Sequence, residues 1–246
     1  MIRRMCFVLP FLALALTGCD FVDAGLNSQR IRGSGHVVKD QRDVRGFREV
    51  RFTSSGEVIL EQTGTEGLEI EADDNLLPRI TTVVEGGRLV IGVERGVSLA
   101  PTTTIRYRLN VKEIDGIELS GSGTITTSNL RSDRMRLDLS GSGEIRIGGL
   151  SANSLEASVS GSGDIEVPGR VTSQEVEISG SGDFDSGGLE SDTVKVSISG
   201  SGDATVWARQ RLTARISGSG DVDYYGEPEV TKHVSGSGGV RGRGSR

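Results

Sequence analysis

The sequence predicts an all-β chain folded as a single-stranded parallel β-solenoid with coils of about 20 residues. Three observations carry this. Ser-Gly-Ser-Gly recurs seven times, starting at Ser120, Ser140, Ser160, Ser179, Ser199, Ser217 and Ser235, with spacings of 20, 20, 19, 20, 18 and 18. The flanks of each copy alternate apolar and polar residues, the signature of a half-buried strand. No long amphipathic helical pattern occurs anywhere in the chain.

Composition alone would allow another reading. Of 246 residues, 36 are Gly and 29 are Ser, a share at which a linker is a live alternative. Only 5 are Pro, branched aliphatics are plentiful and the formal net charge is −6, which together exclude a disordered chain. Gly does not recur every third residue, so collagen is excluded.

The elements follow in order. Residues 1–18 read as a secretory leader: Arg3 and Arg4, then an apolar run from Met5 to Leu16 that is too short to span a bilayer. Leu16-Thr17-Gly18-Cys19 resembles the lipobox of bacterial lipoproteins, which implies that Cys19 is lipidated and becomes the mature N-terminus. Several acyl chains there would anchor the protein stably, where one chain is marginal. Cys6 would leave with the leader, so the mature body would hold no disulfide, no cysteine nucleophile and no thiolate metal site. Loss of Arg3 and Arg4 takes the formal charge from −6 to −8, and an acidic body without a basic patch argues against a nucleic-acid partner. By resemblance to the enterobacterial sorting rule, Asp20 favours the inner membrane over the outer.

Residues 19–35 are expected as a lipidated tether. Residues 36–115 are expected as an irregular N-terminal β part that caps the column, because an exposed solenoid end invites edge pairing. Within it, Thr53-Ser54-Ser55-Gly56 is a degenerate copy of the motif, and strands are expected near 68–72, 80–84, 89–93 and 104–111. Glu85-Gly86-Gly87-Arg88 marks a hairpin turn, and Asp73 to Leu77 hints at a helical turn. Residues 116–238 hold the regular coils. In the second copy Leu137, Leu139, Gly141, Gly143, Ile145 and Ile147 share one parity, and Asp138, Ser140, Ser142, Glu144 and Arg146 the other. The motif glycines therefore fall on the buried side, where the lack of a side chain lets opposite walls or a corner approach closely, and the serines face outward. Coils stacked about 4.8 Å apart would make a column roughly 30 Å long. Residues 239–246, with Arg241, Arg243 and Arg246, are expected as a basic disordered tail.

Gly46-Phe47-Arg48-Glu49-Val50, Ser55-Gly56-Glu57-Val58-Ile59-Leu60-Glu61-Gln62, Leu89-Val90-Ile91 and Ile114-Asp115-Gly116-Ile117-Glu118-Leu119 come in order before the Ser-Gly-Ser-Gly-Asp coils. This series resembles the family described as "putative auto-transporter adhesin, head GIN domain", a group of bacterial envelope proteins, over about Phe47 to Tyr225. The resemblance implies a right-handed parallel β-helix and a binding role at the envelope, and it brings no catalytic residues.

The chemistry on offer is sparse. His36 and His233 stand near opposite ends without partner motifs, and there is no Gly-x-Ser-x-Gly elbow and no HExxH. Ser-Gly-Ser-Gly lacks the third glycine and the lysine of a phosphate loop, so no nucleotide is expected. After the motifs stand Glu144, Asp164, Asp183, Asp203 and Asp221, a series that would stack along one edge. It has two readings: a ladder binding a ligand or cation, or carboxylates that close turns by accepting backbone N–H bonds. Ca²⁺ is the cation such oxygens suit, but no calcium-binding nonapeptide is present, so no cofactor and no metal site are assigned. Trp207, Tyr224 and Tyr225 form a candidate aromatic patch, with covering of the solenoid's end as the competing reading.

The functional expectation is an exported, lipid-anchored, non-catalytic binding protein of the bacterial cell envelope, facing the periplasm. Its candidate partners are polysaccharide, peptidoglycan or an envelope protein. Two other classes stand beside it: a β-helix carbohydrate-active enzyme, which needs a groove with converging carboxylate, lysine or arginine groups, and a structural scaffold that docks a protein partner.

Overall fold

The computed structural model describes residues 28–246. The leader, Cys19 and Asp20 lie outside the described residues. No helix among those described is long and apolar enough to cross a membrane.

Each regular coil contributes one strand before the Ser-Gly-Ser-Gly corner, a second after it and a short third segment. The strands before the corner, Gly116–Leu119, Arg134–Leu139, Ser154–Val159, then residues 173–178, 193–198 and 211–216, pair in parallel, and Glu229–Gly236 ends the series. The strands after it, from Thr124–Thr127 and Glu144–Ile147 through Val222–Tyr225, do the same. Leu119, Leu139, Val159, Ile178, Ile198, Ile216 and Val234 are successive partners, so the register reproduces the spacing of the motif in the sequence. A slip of one residue would turn every apolar side chain of a coil to solvent, which is why the register is strict.

The interior is a stack of aliphatic ladders, with Leu137, Ala157, Val176, Val196 and Ala214 all buried at equivalent positions. One ladder turns polar: Met135 and Leu155 are followed by Gln174, also buried. Its amide donates to the Ser186 hydroxyl at 2.5 Å and accepts from the Ser191 hydroxyl at 3.0 Å, and Ser186 donates onward to the Thr205 carbonyl at 3.2 Å. A buried polar group is tolerated when its partners are supplied, as here.

Of the two close approaches expected of the motif glycines, opposite walls or a corner, the structure shows the corner. A Cβ on Gly161 would lie 2.1 Å from the Gly141 carbonyl oxygen, and one on Gly141 would lie 2.1 Å from that of Gly121. The close approach is therefore along the column, between equivalent corners of adjacent coils, rather than between opposite walls.

At the N-terminal end, chain order and spatial order part. Glu49–Phe52 lies between Gly116–Leu119 and Arg88–Val93, so the coil built from Arg88–Val93 and Arg106–Val111 stacks outside an earlier one. Antiparallel strands then finish the end: Ile80–Glu85 on Arg88–Val93, and Gly67–Asp73 on Arg106–Val111, with Val37–Arg42 on its far side. The hairpin at Gly86 and Gly87 needs both residues at positive φ (58° and 80°), which glycine adopts without strain. A single 3₁₀ turn, Leu77–Arg79, follows Asp73. Asp73 is buried: it accepts from the Thr102 hydroxyl at 2.6 Å, the Thr102 N–H at 2.9 Å and the Gly35 N–H at 2.7 Å. Those bonds, the Thr102 hydroxyl foremost, hold its carboxyl below the ordinary aspartate range.

Two terminal expectations are corrected. Gln29–Arg32, placed in the tether, is a strand paired with Val97–Ala100. Residues 239–246 are not a free tail: Val240–Gly242 pairs with the strand Val222–Tyr225. Arg241 meets Asp221 at 2.8 Å, Arg243 pairs with Asp223, and the Arg246 guanidinium sits 5.4 Å from the Tyr225 ring centre. The seventh motif begins a coil whose second strand these residues complete, with Val240 following Val222 on the inward side.

Candidate binding surface

The corner presents its serines because its backbone is already bonded. The Ser162 N–H donates to the Gly141 carbonyl at 3.0 Å, and Ser181, Ser201, Ser219 and Ser237 each donate to the equivalent glycine carbonyl one coil back at 2.9 Å. The serine side chains stand exposed on the outer corner, one rung per coil.

The acidic series sits on one side of these rungs. Asp183 N–H donates to the Asp164 carboxylate at 3.2 Å, Asp203 N–H to Asp183 at 2.9 Å, Asp221 N–H to Asp203 at 2.7 Å, and Gly239 N–H to Asp221 at 2.6 Å. Each carboxylate thus caps the backbone of the following coil, a bond between coils rather than within one turn. Glu144, the first member, turns to Arg146 instead. Among the described residues no three His, Cys, Asp or Glu side chains converge to hold a metal ion.

The aromatic residues divide. Trp207 and Tyr225 are register partners on the outward parity, both half-buried. Tyr224 pairs with Val206 and packs against the core, so it does not join them. The alternation explains this: Val222 points inward, and Tyr224 follows it by two.

On the other side of the serine rungs runs a row that the sequence reading passed over. Its members stand two positions before each motif: Glu118, Asp138, Ser158, Glu177, Ser197, Arg215 and His233, stacked in register. Glu118 is met by Arg51 at 2.7 Å. Burial pushes the Asp138 carboxyl up. From Ser158 to His233 this row, with Ser179, Ser199, Ser217 and Ser235, lines a shallow open groove of about 740 Å³. The signal that could have found it is the change of sign along the row, acidic at the first two motifs and basic at the last two.

A repeated hydroxyl edge flanked by charged rows thus runs along one corner of a parallel β-solenoid. The family model described as "Putative auto-transporter adhesin, head GIN domain" matches residues 46–228, and the chain belongs to that family. Solved structures agree in fold. A "putative adhesin" from Bacteroides fragilis is 22% identical with a TM-score of 0.79, over 87% of this chain and 98% of that one. A "Putative lipid binding protein" from Parabacteroides distasonis is 28% identical with a TM-score of 0.74, over 87% and 99%. A "putative adhesin" from Parabacteroides merdae is 23% identical with a TM-score of 0.70, over 87% and 99%. No curated protein matches the chain.

Proposed function

We propose that this chain is an exported, lipid-anchored and non-catalytic binding protein of the bacterial cell envelope, which presents a rigid repetitive polar face to a polysaccharide or peptidoglycan strand. The observation that carries the reading is the serine edge. Its backbone is bonded from coil to coil, so its serines recur at a fixed repeat along the column. An extended polymer of sugar hydroxyls matches such a surface better than a compact small molecule does. Membership of a family described as adhesins supports binding over catalysis. His36 lies 3.3 Å from Asp74 at the capped end while His233 lies at the far end, so the two histidines do not combine into an acid–base pair. The anchor would be Cys19, with Asp20 directing the protein to the inner membrane.

The test is a glycan and muropeptide array probed with the protein, with and without Ca²⁺. Binding to a defined glycan supports the reading, and loss of all glycan binding at high protein concentration refutes it. For the anchor, Cys19→Ser should release the protein from membranes, and continued membrane association would remove the lipid from the account.

One observation favours a second reading, a scaffold that docks a protein. Glu229–Gly236 ends its sheet, and Val234 on it is exposed. A partner captured through that strand, with no glycan bound, would favour this alternative.

A further inference from the structure

Several charged residues on the outer faces of this column meet an opposite charge one coil away: Arg136 with Glu156, Arg170 with Glu190, Lys195 with Glu175, Arg241 with Asp221. Arg134, Arg211 and Arg215 form no such pair, but Arg134 still has Glu156 diagonal to it and Arg211 has Glu229 as a register partner, whereas Arg215 has no carboxylate beside it. Its register neighbours are Ser197 and His233, so a guanidinium and an imidazole stand side by side. Thr213 and Ser217 flank it on its own strand. Diagonal to it are Lys195, already paired, and on the other side Thr231 and Ser235. None of these is a carboxylate. An exposed arginine is thus ringed by hydroxyls, an imidazole and a lysine in a chain of net charge −6.

A cation with no carboxylate among its register and diagonal neighbours is a local inconsistency of the kind that marks functional surfaces. Guanidinium supplies only donors, in a planar fork that matches an oxyanion, and the hydroxyls around it can donate as well. We infer that the C-terminal end of the groove is a subsite for an oxyanion group, a carboxylate, sulfate or phosphate carried on a sugar chain, held by Arg215 with His233, Ser217 and Ser235. The inference rests on the glycan reading above and adds to it a requirement for negative charge at a defined point. The neighbouring serine rungs hold the uncharged sugars, and Arg215 sets the register of the strand along them.

The experiment uses the full chain purified in detergent, on an array of neutral, carboxylated, sulfated and phosphorylated oligosaccharides of equal length. At least one acidic class should bind more tightly than its neutral counterpart, and the advantage should shrink as salt is raised. Arg215→Gln should weaken that binding about tenfold or more, since a charge-assisted bond is lost. Arg134→Gln, an exposed arginine of another row, should leave it unchanged. Because Arg215 lies outside the core, its variant should melt with the parent. Equal binding of neutral and acidic chains, unaffected by Arg215→Gln, would overturn the subsite while leaving the glycan function standing. Binding to anionic lipid vesicles with no glycan bound would overturn both.

Discussion

Replacing Gly161 by Ala tests the physical reason for the repeated glycines. The new Cβ would stand 2.1 Å from the Gly141 carbonyl oxygen and 3.0 Å from its carbon. Real Cβ contacts essentially never fall below 3.0 Å, so the coils must separate by about 0.9 Å at this corner. The obstacle is backbone on both sides, and no side-chain rotation can relieve it. The Ser162 N–H bond to that same oxygen, 3.0 Å long, would stretch beyond hydrogen-bonding range. Overpacking costs about 1–3 kcal/mol, and one or two lost backbone bonds add about 1 kcal/mol each, so about 3 kcal/mol is expected. For a domain of this size that lowers Tm by roughly 6–12 °C. Thermal and urea unfolding followed by circular dichroism would read it. Two controls separate this cause from a general loss on substitution. Gly67→Ala meets nothing within 4 Å and should be neutral or slightly stabilising, while Ser162→Ala should stay within about 0.5 kcal/mol. If Gly161→Ala melted with the parent, the steric account of the motif would be wrong.

Other outcomes follow from the same contacts. Asp203→Ala removes the acceptor for the Asp221 N–H and should cost about 1 kcal/mol in urea unfolding, whereas Asp203→Asn keeps an oxygen there and should be nearly neutral; equal loss in both would point to a role for the charge itself. Gln174→Leu removes the shared partner of Ser186 and Ser191, but each hydroxyl keeps a carbonyl acceptor, at Thr205 and Leu189, so the loss should be about 0.5–1.5 kcal/mol in urea unfolding; a loss above about 3 kcal/mol would show that those carbonyls do not satisfy them. Asp73 has its folded-state pKa lowered from 3.8, so its contribution is fully present above that value and is lost as pH falls through the folded one. Tm measured below about pH 4 should therefore decline, and Asp73→Asn should flatten that decline; an unchanged acid limb would show that Asp73 does not govern it.

The column was legible because two periods reinforce one another. The alternation of Leu137, Leu139, Ile145 and Ile147 names the buried face, and the motif spacing names the register, which the pairing of Leu139 with Val159 and of Val159 with Ile178 reproduces. The N-terminal end was less so. The coil at Arg88–Val93 stacks outside the one at Glu49–Phe52, and an inversion effected by antiparallel hairpins leaves no mark in a count of repeats. The segment after Gly238 looked like a tail because the motif was counted as the unit, although the unit is the coil and Val240 still had a ladder to join. At the candidate surface, grouping Tyr224 with Tyr225 by adjacency overlooked the parity that turns the first inward. The Glu118-to-His233 row changes residue type from each coil to the next, so no repeated letter marks it in the sequence.

The described chain enters at Gln29–Arg32, beside the segment that follows the Arg88–Val93 strand, and that strand belongs to the terminal coil. From that coil to the one bearing Arg215 there are seven parallel pairings, a reach of roughly 34 Å at about 4.8 Å each. At physiological salt this is about four screening lengths. Were the column held upright by the Cys19 anchor proposed above, the negative potential of a lipid leaflet would have faded almost completely at the level of Arg215. A cation there would respond to charges standing off the bilayer and be blind to the bilayer itself. On that proposal the number of coils sets a height as well as a core.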